Sequence, residues 1–538
     1  MNGSDNIPLP IEKDPFQWEA VYLLIGVIMP KQLLIFLAIP FCFLFANASR
    51  QSEKEHNPIE IAIQSLIEQF KGGEKNEDFT CTSHIIQIPS GPLNYQAITG
   101  SLNQYSDSGE IIGKLFFTAY IKQTEKEENR PVTFVFNGGP GGSSLSLHIG
   151  GFGPRRLLLP EEGQEALPPY LLIDNQETIL DLTDIVLVDP IGTGYSQTLC
   201  KESRKDFFSV EGDLRSFTEF MRMFCIHFNR WNSPKYLLGT SYGASRACGL
   251  TESLIHQGIH LNGVILLGSA LDFNTLREQR DTCLSECLRI PTLAATSWFH
   301  KRTMQDRTLK QVVEQAKRFA FEEYMPRMMQ PNNLSAKQQH AFYQKFSDLI
   351  GLPIDTLRRF QAKIDERRYV TEFLAPDRKM IGGIDSRYIG DRSSIGEEYT
   401  EDPSYNNLRS AFYPSFLNYM QNELETKSSF PKYTNFNVDA FYSWNWSTYD
   451  NPDSYPNFML NLRRSLVANP HMKVFVGSGY YDIRTPFAAA EYSINQLQLP
   501  DSYQKNFQIE YYEAGHGFIF DLPSLKKLRE DLTKFYAH

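Results

Sequence analysis

Short apolar runs, each stopped by glycine, aspartate or serine, are the feature that most restricts how this chain can fold. They read PVTFVFNGGPGGSS, TDIVLVDPIGTGYS, PKYLLGTSYGAS, LNGVILLGSA and MKVFVGSGYYD. An unbroken apolar run has no solvent face, so it fits a strand covered on both sides. Helical stretches between the runs make the strands parallel, because a crossover must carry the chain back each time. The expectation is an α/β fold with a mostly parallel central sheet, whose ligand-binding loops lie beyond the carboxyl ends of the strands. Ahead of these runs, HIIQIP, YQAITGSL and IIGKLFFTAYIK read as further strands, and a helix is expected around Pro58 to Phe70.

The pattern lapses between about Asp272 and Asn435. There LREQRDTCLSECLRI, DRTLKQVVEQAKRFAFEEYM and AKQQHAFYQKFSDLIG are charged and helical. This segment reads as a helical cap inserted over the strand ends. The expected division is an N-terminal extension at 1–48, a first core part at 49–271, the cap at 272–435 and a second core part at 436–538.

Hydrophobic residues make up 41% of the 538 and aromatics 13%, a globular composition. The net charge of −10 and the lack of a basic block argue against a nucleic-acid partner. Near the start, Met29 to Ala48 has one lysine, an apolar run from Leu33 to Phe45, and Ala46-Asn47-Ala48 as an exit. That is the layout of a secretory signal peptide, so the chain is expected to be exported, periplasmic or secreted. The alternative is an uncleaved anchor over Tyr22 to Phe45, the only circumstance in which a membrane is an expected partner. Cys81, Cys200, Cys225, Cys248, Cys283 and Cys287 follow the leader. An even number in an exported chain allows disulfides but leaves their connectivity open. No C-x-x-C or C-x-x-H cluster points to a metal.

Gly239-Thr240-Ser241-Tyr242-Gly243 fits G-x-S-x-G between the strand KYLLG and a helix. Glycines on both sides permit the sharp turn that exposes a serine hydroxyl. Serine needs a base, and the base needs an orienting group. Asp482 follows MKVFVGSGYY, and His516 lies in Gly515-His516-Gly517 after IEYYEA. The order Ser, Asp, His and the strand-end placement fit an α/β-hydrolase triad, with Glu513 and Asp521 as competing orienters. An oxyanion hole needs two backbone N–H groups. Tyr242 is expected to give one, and the glycine loop Asn137–Ser144 the other. That loop lacks the Gly-Lys-Ser/Thr ending of a phosphate-binding loop.

FNGGPGGSS, GFGP, DPIGTGYS, GTSYG, GYYDIRTP and AGHG, in that order, resemble the serine carboxypeptidases of peptidase family S10. The resemblance spans roughly Val132 to Phe520. It implies an α/β-hydrolase fold with a helical cap and removal of C-terminal residues from peptides or proteins. It implies Ser241, Asp482 and His516 as the triad, the N–H groups of Gly139 and Tyr242 as the oxyanion hole, and no cofactor. Asn137, Gly138 and Thr240 are the positions expected to face the substrate, with Asn137 helping to hold its terminal carboxylate.

The chain also departs from the family pattern. Thr240 and Gly151 stand where the family has the two glutamates that share a proton and bind the substrate carboxylate. Gly142 replaces a disulfide cysteine, and Gly517 replaces a methionine after the histidine. These features suggest a divergent, bacterial-type branch. An arginine fork pairs well with a carboxylate without acidic pH. Arg155 and Arg156 follow GFGP, and Arg246 and Arg484 lie near the serine and the aspartate; one of them is a candidate substitute. The rival readings are an esterase or acyltransferase on the same triad, and a binding protein that kept the fold.

Overall fold

The computed structural model describes residues 79–537, apart from 125–128, 161–165, 200–203, 280–281, 331–332, 334, 393–401, 429–430 and 451–454. The expected leader and the helix around Pro58 to Phe70 lie outside the described residues. Among the described residues no helix is long and apolar enough to cross a membrane.

Strands β1 (Thr80–Ile88), β2 (Gly91–Tyr105) and β3 (Ile111–Lys122) form an antiparallel meander. β4 (Val132–Phe136) follows, and β5 (Arg155–Leu157) with β6 (Leu172–Asp174) makes a small hairpin-like pair. β7 (Asp184–Val188), β8 (Gln197–Thr198), β9 (Lys235–Thr240) and β10 (Gly263–Leu267) come next. After the pair β11 (Lys379–Ile381) and β12 (Ile389–Asp391), the chain closes with β13 (Lys473–Gly479) and β14 (Phe507–Tyr512).

Among the described residues the main sheet has ten strands, in the order β1-β2-β3-β7-β4-β9-β10-β13-β14 with β8 paired to β3. From β7 to β14 every pairing is parallel. β4, β7 and β10 are buried along their whole length, as unbroken apolar runs require. One face packs on the helices Val210–His227 and Tyr242–His256, where Phe117 and Phe134 meet Phe220 and Phe224 edge to face. Phe117 is fully buried, so Phe117→Ala is expected to cost about 3–5 kcal/mol through lost transfer energy and the cavity left behind. The other face packs on the C-terminal helix Leu522–Ala537 through Leu525, Leu528 and Leu532.

Between β10 and β13 the chain is mainly helical and has its own apolar cluster around Ile290, Tyr324, Phe346 and Tyr369. Local sequence sets these helices. Thr308 with Gln311 and Ser335 with Gln338 form reciprocal N-terminal caps, and Gly351 ends helix Ala336–Ile350 in the left-handed conformation. Cys225, Cys248, Cys283 and Cys287 are free thiols. Cys283 and Cys287 sit four residues apart without bonding: Cys287 donates to the Ala320 carbonyl and Cys283 faces the Met325 sulfur. The cysteine count allows disulfides, but these four positions do not form them.

Candidate active site

Each group with chemical potential follows the carboxyl end of a parallel strand. β4 runs into Asn137, β9 into Ser241, β13 into Asp482 and β14 into His516. Parallel alignment brings these ends to one edge of the sheet: Phe136 is opposite Gly239, Leu267 opposite Thr240, and Gly479 opposite Tyr512.

Ser241 occupies the turn between β9 and helix Tyr242–His256 with φ +57° and ψ −126°. This conformation is costly for a side-chain-bearing residue and persists only where its surroundings enforce it. The enforcement is visible. Ser241 N–H donates to the Leu267 carbonyl at 3.0 Å, and its own carbonyl accepts from Ala244 N–H at 3.0 Å. A side chain at Gly239 would come within 2.0 Å of the Gly243 carbonyl oxygen, so the turn can be this tight only with glycine there. The Tyr242 ring packs among Trp444, Trp446 and Phe458 and fixes the first turn of the helix.

His516 Nδ1 lies 2.7 Å from Asp482 Oδ2. Asp482 is fully buried and also accepts from Thr485, through its backbone N–H at 2.8 Å on Oδ1 and its hydroxyl at 2.5 Å on Oδ2. A carboxylate holding these donors orders the imidazole with Nδ1 as donor and leaves Nε2 as the open nitrogen. Asp521 lines the same cavity, but its carboxylate pairs with Arg387 and caps Ser524 N–H. Ser241 and His516 line one cavity of about 590 Å³.

The glycine loop lies directly on the serine turn. A side chain at Gly138 would stand 2.6 Å from Ser241 Cβ and 2.8 Å from Tyr242 N. Gly138, Gly139 and Thr240 line the cavity beside Ser241. Asn137 also borders it, but its amide is engaged within the loop. Nδ2 donates to the Ser143 carbonyl and the Ser146 hydroxyl, and Oδ1 accepts from Gly138 N–H and the Thr240 hydroxyl. The Thr240 hydroxyl thus ties the serine turn to the loop.

The arginines separate. Arg155 pairs with Asp174 and Glu423 outside the cavity lining. Arg246 is fully buried, pairs with Asp213 at 2.7 Å and donates to the Asn137 carbonyl at 2.8 Å. Arg484 pairs with Glu366 at 2.6 Å. Arg156 is buried and lines the cavity.

Several positioning groups carried no signal in the sequence. Thr485 behind the His–Asp pair is an ordinary residue in YYDIRTP. Asp189 lies within DPIGTGYS, yet nothing in that run says it reaches back to hold Ser144 N–H and the Ser144 hydroxyl, both at 2.8 Å. Burial pushes the Asp189 carboxyl up to about 6, and hydrogen bonds from Ser144, Tyr433 and Tyr195 offset only part of that rise. From the helical segment, Ile384 accepts the His516 N–H at 2.7 Å and Asp385 the Gly515 N–H at 3.0 Å. Arg387 joins them by binding Asp385 and the Glu513 carbonyl. Among the described residues no cluster of His, Cys, Asp or Glu is arranged to hold a metal ion.

A mostly parallel sheet with the Ser, Asp and His groups at its strand ends is the α/β-hydrolase architecture. The chain belongs to the serine carboxypeptidase family, peptidase S10, whose family model matches residues 90–520. A pheromone-processing carboxypeptidase of Schizosaccharomyces japonicus is 27% identical over 37% of this chain and 36% of its own length. Serine carboxypeptidase-like 9 of Arabidopsis thaliana is 27% identical over 31% of this chain and 36% of its own length. The chain thus spans about a third of the length of these curated relatives. The solved structure of a prohormone-processing carboxypeptidase from Saccharomyces cerevisiae aligns over 82% of this chain and 91% of its own, with a TM-score of 0.52 at 15% identity. That likeness places the fold.

Proposed function

We propose that this chain is a serine-type carboxypeptidase acting on peptides through Ser241, His516 and Asp482. The observation that carries the reading is one cavity lined by both Ser241 and His516, with the imidazole held from behind by a buried carboxylate. Ser241 Oγ attacks the C-terminal peptide carbonyl while His516 Nε2 takes its proton. Asp482 keeps the imidazole oriented and stabilises it once protonated. The carbonyl oxygen, now an anion, lies toward the N–H groups of Gly139 and Tyr242. Each such donor is worth roughly 10²–10³ in rate. Expulsion of the leaving amino acid takes the proton from His516. Water then releases the acyl group from Ser241 by the same route. Asn137 and Thr240 serve by holding the glycine loop against the serine turn.

Membership of the family supports peptide substrates. The leader-like Met29 to Ala48 supports export, which N-terminal sequencing of the mature protein checks: a start after Ala48 is expected. The function is tested with a blocked dipeptide, its C-terminal amide and the corresponding ester. Cleavage of the peptide that requires its free carboxylate is the expected result; turnover of the ester alone would assign the site to esterase or acyl-transfer chemistry. Fluorophosphonate labelling lost in Ser241→Ala is expected with either chemistry, and its absence in the wild type would leave a binding protein.

A further inference from the structure

Arg156 is 6% exposed, and its neighbours on the cavity wall do not satisfy it. Successive residues of β5 point to opposite sides, so Arg155 turns to Asp174 and Glu423 while Arg156 turns to the cavity. Among the described residues no carboxylate or carbonyl lies within hydrogen-bonding or ion-pair distance of the Arg156 guanidinium. Burial lowers its pKa, and Glu177 is near enough only to offset part of that. The acids on the same wall are already committed. Asp385 is bound by Arg387 and by Gly515 N–H, and Asp521 by Arg387 and Ser524 N–H. A buried guanidinium without a partner is costly, and an anion brought by a ligand removes that cost.

The rest of the wall indicates what accompanies the anion. Leu145, Leu158, Phe412, Phe436 and Ile519 give it an apolar surface. A volume of about 590 Å³ suits a segment of a few residues.

We propose that Arg156 is the carboxylate anchor of this cavity, gripping the free C-terminal carboxylate of a peptide through two parallel N–H···O bonds. This deepens the carboxypeptidase reading and rests on it. A guanidinium stays charged across the accessible pH range, so anchoring needs no acid. KM for a carboxylate substrate is expected to stay flat from about pH 5 to about pH 8, where both partners are ionised.

The test compares wild type, Arg156→Gln and Arg156→Lys on three substrates. These are a blocked Phe-Leu dipeptide, a blocked Glu-Leu amide whose only carboxylate is a side chain, and a nitrophenyl ester with no carboxylate. For Arg156→Gln, KM for Phe-Leu is expected to rise about 10–100-fold, the loss of a hydrogen-bonded charge partner, with kcat changed by less than about threefold and the ester unaffected. Arg156→Lys is expected to restore part of the loss. A rise confined to the Glu-Leu amide would keep the anchor and assign it to an acidic side chain. Equal losses on all three substrates, or none on any, would overturn it. Calorimetric binding of blocked Phe-Leu to Ser241→Ala, with and without Arg156→Lys, reads the anchor without turnover. Ester turnover and fluorophosphonate labelling of the wild type test Ser241 alone, so failure of the carboxypeptidase reading is seen separately.

Discussion

At the floor of the cavity, Ser241 and His516, with Asp482 behind the imidazole, each follow a parallel strand; Ser241 N–H is bound by the end of the neighbouring strand at Leu267 and its carbonyl by Ala244 N–H. The walls are assembled differently: Leu145 to Pro160 folds over from beside β4, while Ile384, Tyr388, Ser404, Phe412, Asn435 and Phe436 come from between β10 and β13. The floor is held by the sheet, whose register leaves each loop little freedom. The walls depend on contacts between segments distant in the chain: Ser143 N–H binds the Asn435 carbonyl, and the Ile384 carbonyl joins wall to floor by accepting His516 N–H. On the proposed function, reaction chemistry and substrate choice would rest on parts of the molecule that can vary separately. Changes at the floor should lower kcat for every substrate, and changes at the wall should sort substrates by KM.

Asp482→Asn is the most severe test on the floor. It keeps the shape but offers an amide to His516 Nδ1, which favours the wrong tautomer. A fall in kcat of about 10⁴-fold is expected for peptide and ester alike, with KM nearly unchanged. A fall confined to the peptide would break the division between floor and wall. Gly138→Ala comes next. Its methyl would meet Ser241 Cβ at 2.6 Å and the Thr240 carbonyl oxygen at 2.8 Å, neither at the end of a flexible side chain. Displacing the loop should disturb the oxyanion donors and lower kcat about 10²–10³-fold on both substrates. Gly258→Ala, with nothing within 4 Å of the added carbon but a left-handed φ of +72°, should cost only about 1 kcal/mol of stability and leave kcat alone.

The same division explains what was legible in the sequence. The apolar runs ending in Gly, Asp or Ser are the parallel strands, because burial on both faces leaves an unbroken apolar signature. G-x-S-x-G is readable because the backbone of a tight turn admits few residues. Thr485 and the Ile384–Arg387 clamp were not legible, since their roles are contacts with Asp482, Glu513, Gly515 and His516 that only the folded chain creates. Arg155 and Arg156 were equivalent in the sequence; β5 sends one to acidic partners and the other into the cavity. Asn137 stood out as a substrate contact, but its amide is engaged by its own loop.

Asp189 is buried and holds the end of the glycine loop through Ser144, so its ionisation should be read in stability. Its folded value of about 6 lies above the ordinary 3.8. Between those values the unfolded chain gives up its proton while the native chain keeps it, so this group removes stability as pH rises from about 4 to about 6. The loss is on the order of 3 kcal/mol. His148, fully buried and pushed down to about 3, acts in the opposite sense: stability falls as pH drops from about 6.5, because only the unfolded histidine takes up the proton. Chemical denaturation of wild type and Asp189→Asn from pH 4 to 7 should show their difference shifting in favour of the variant with rising pH. A constant difference would mean that Asp189 does not titrate in this range.

The smallest effect sharpens the comparison most, because it involves the neighbour of Arg156. Arg155 is a quarter exposed, and its partners Asp174 and Glu423 are about a third exposed. Ion pairs in such surroundings contribute at most about 1 kcal/mol, and salt weakens them. Arg155→Gln should therefore lower stability by no more than about 1 kcal/mol, less at high salt, and leave KM for blocked Phe-Leu within about twofold. Set beside the 10–100-fold expected at Arg156, that result would place carboxylate recognition on one side of a single strand. A KM loss at Arg155 equal to that at Arg156 would instead mean that β5 shifts as a unit, and that the wall selects by shape rather than by charge.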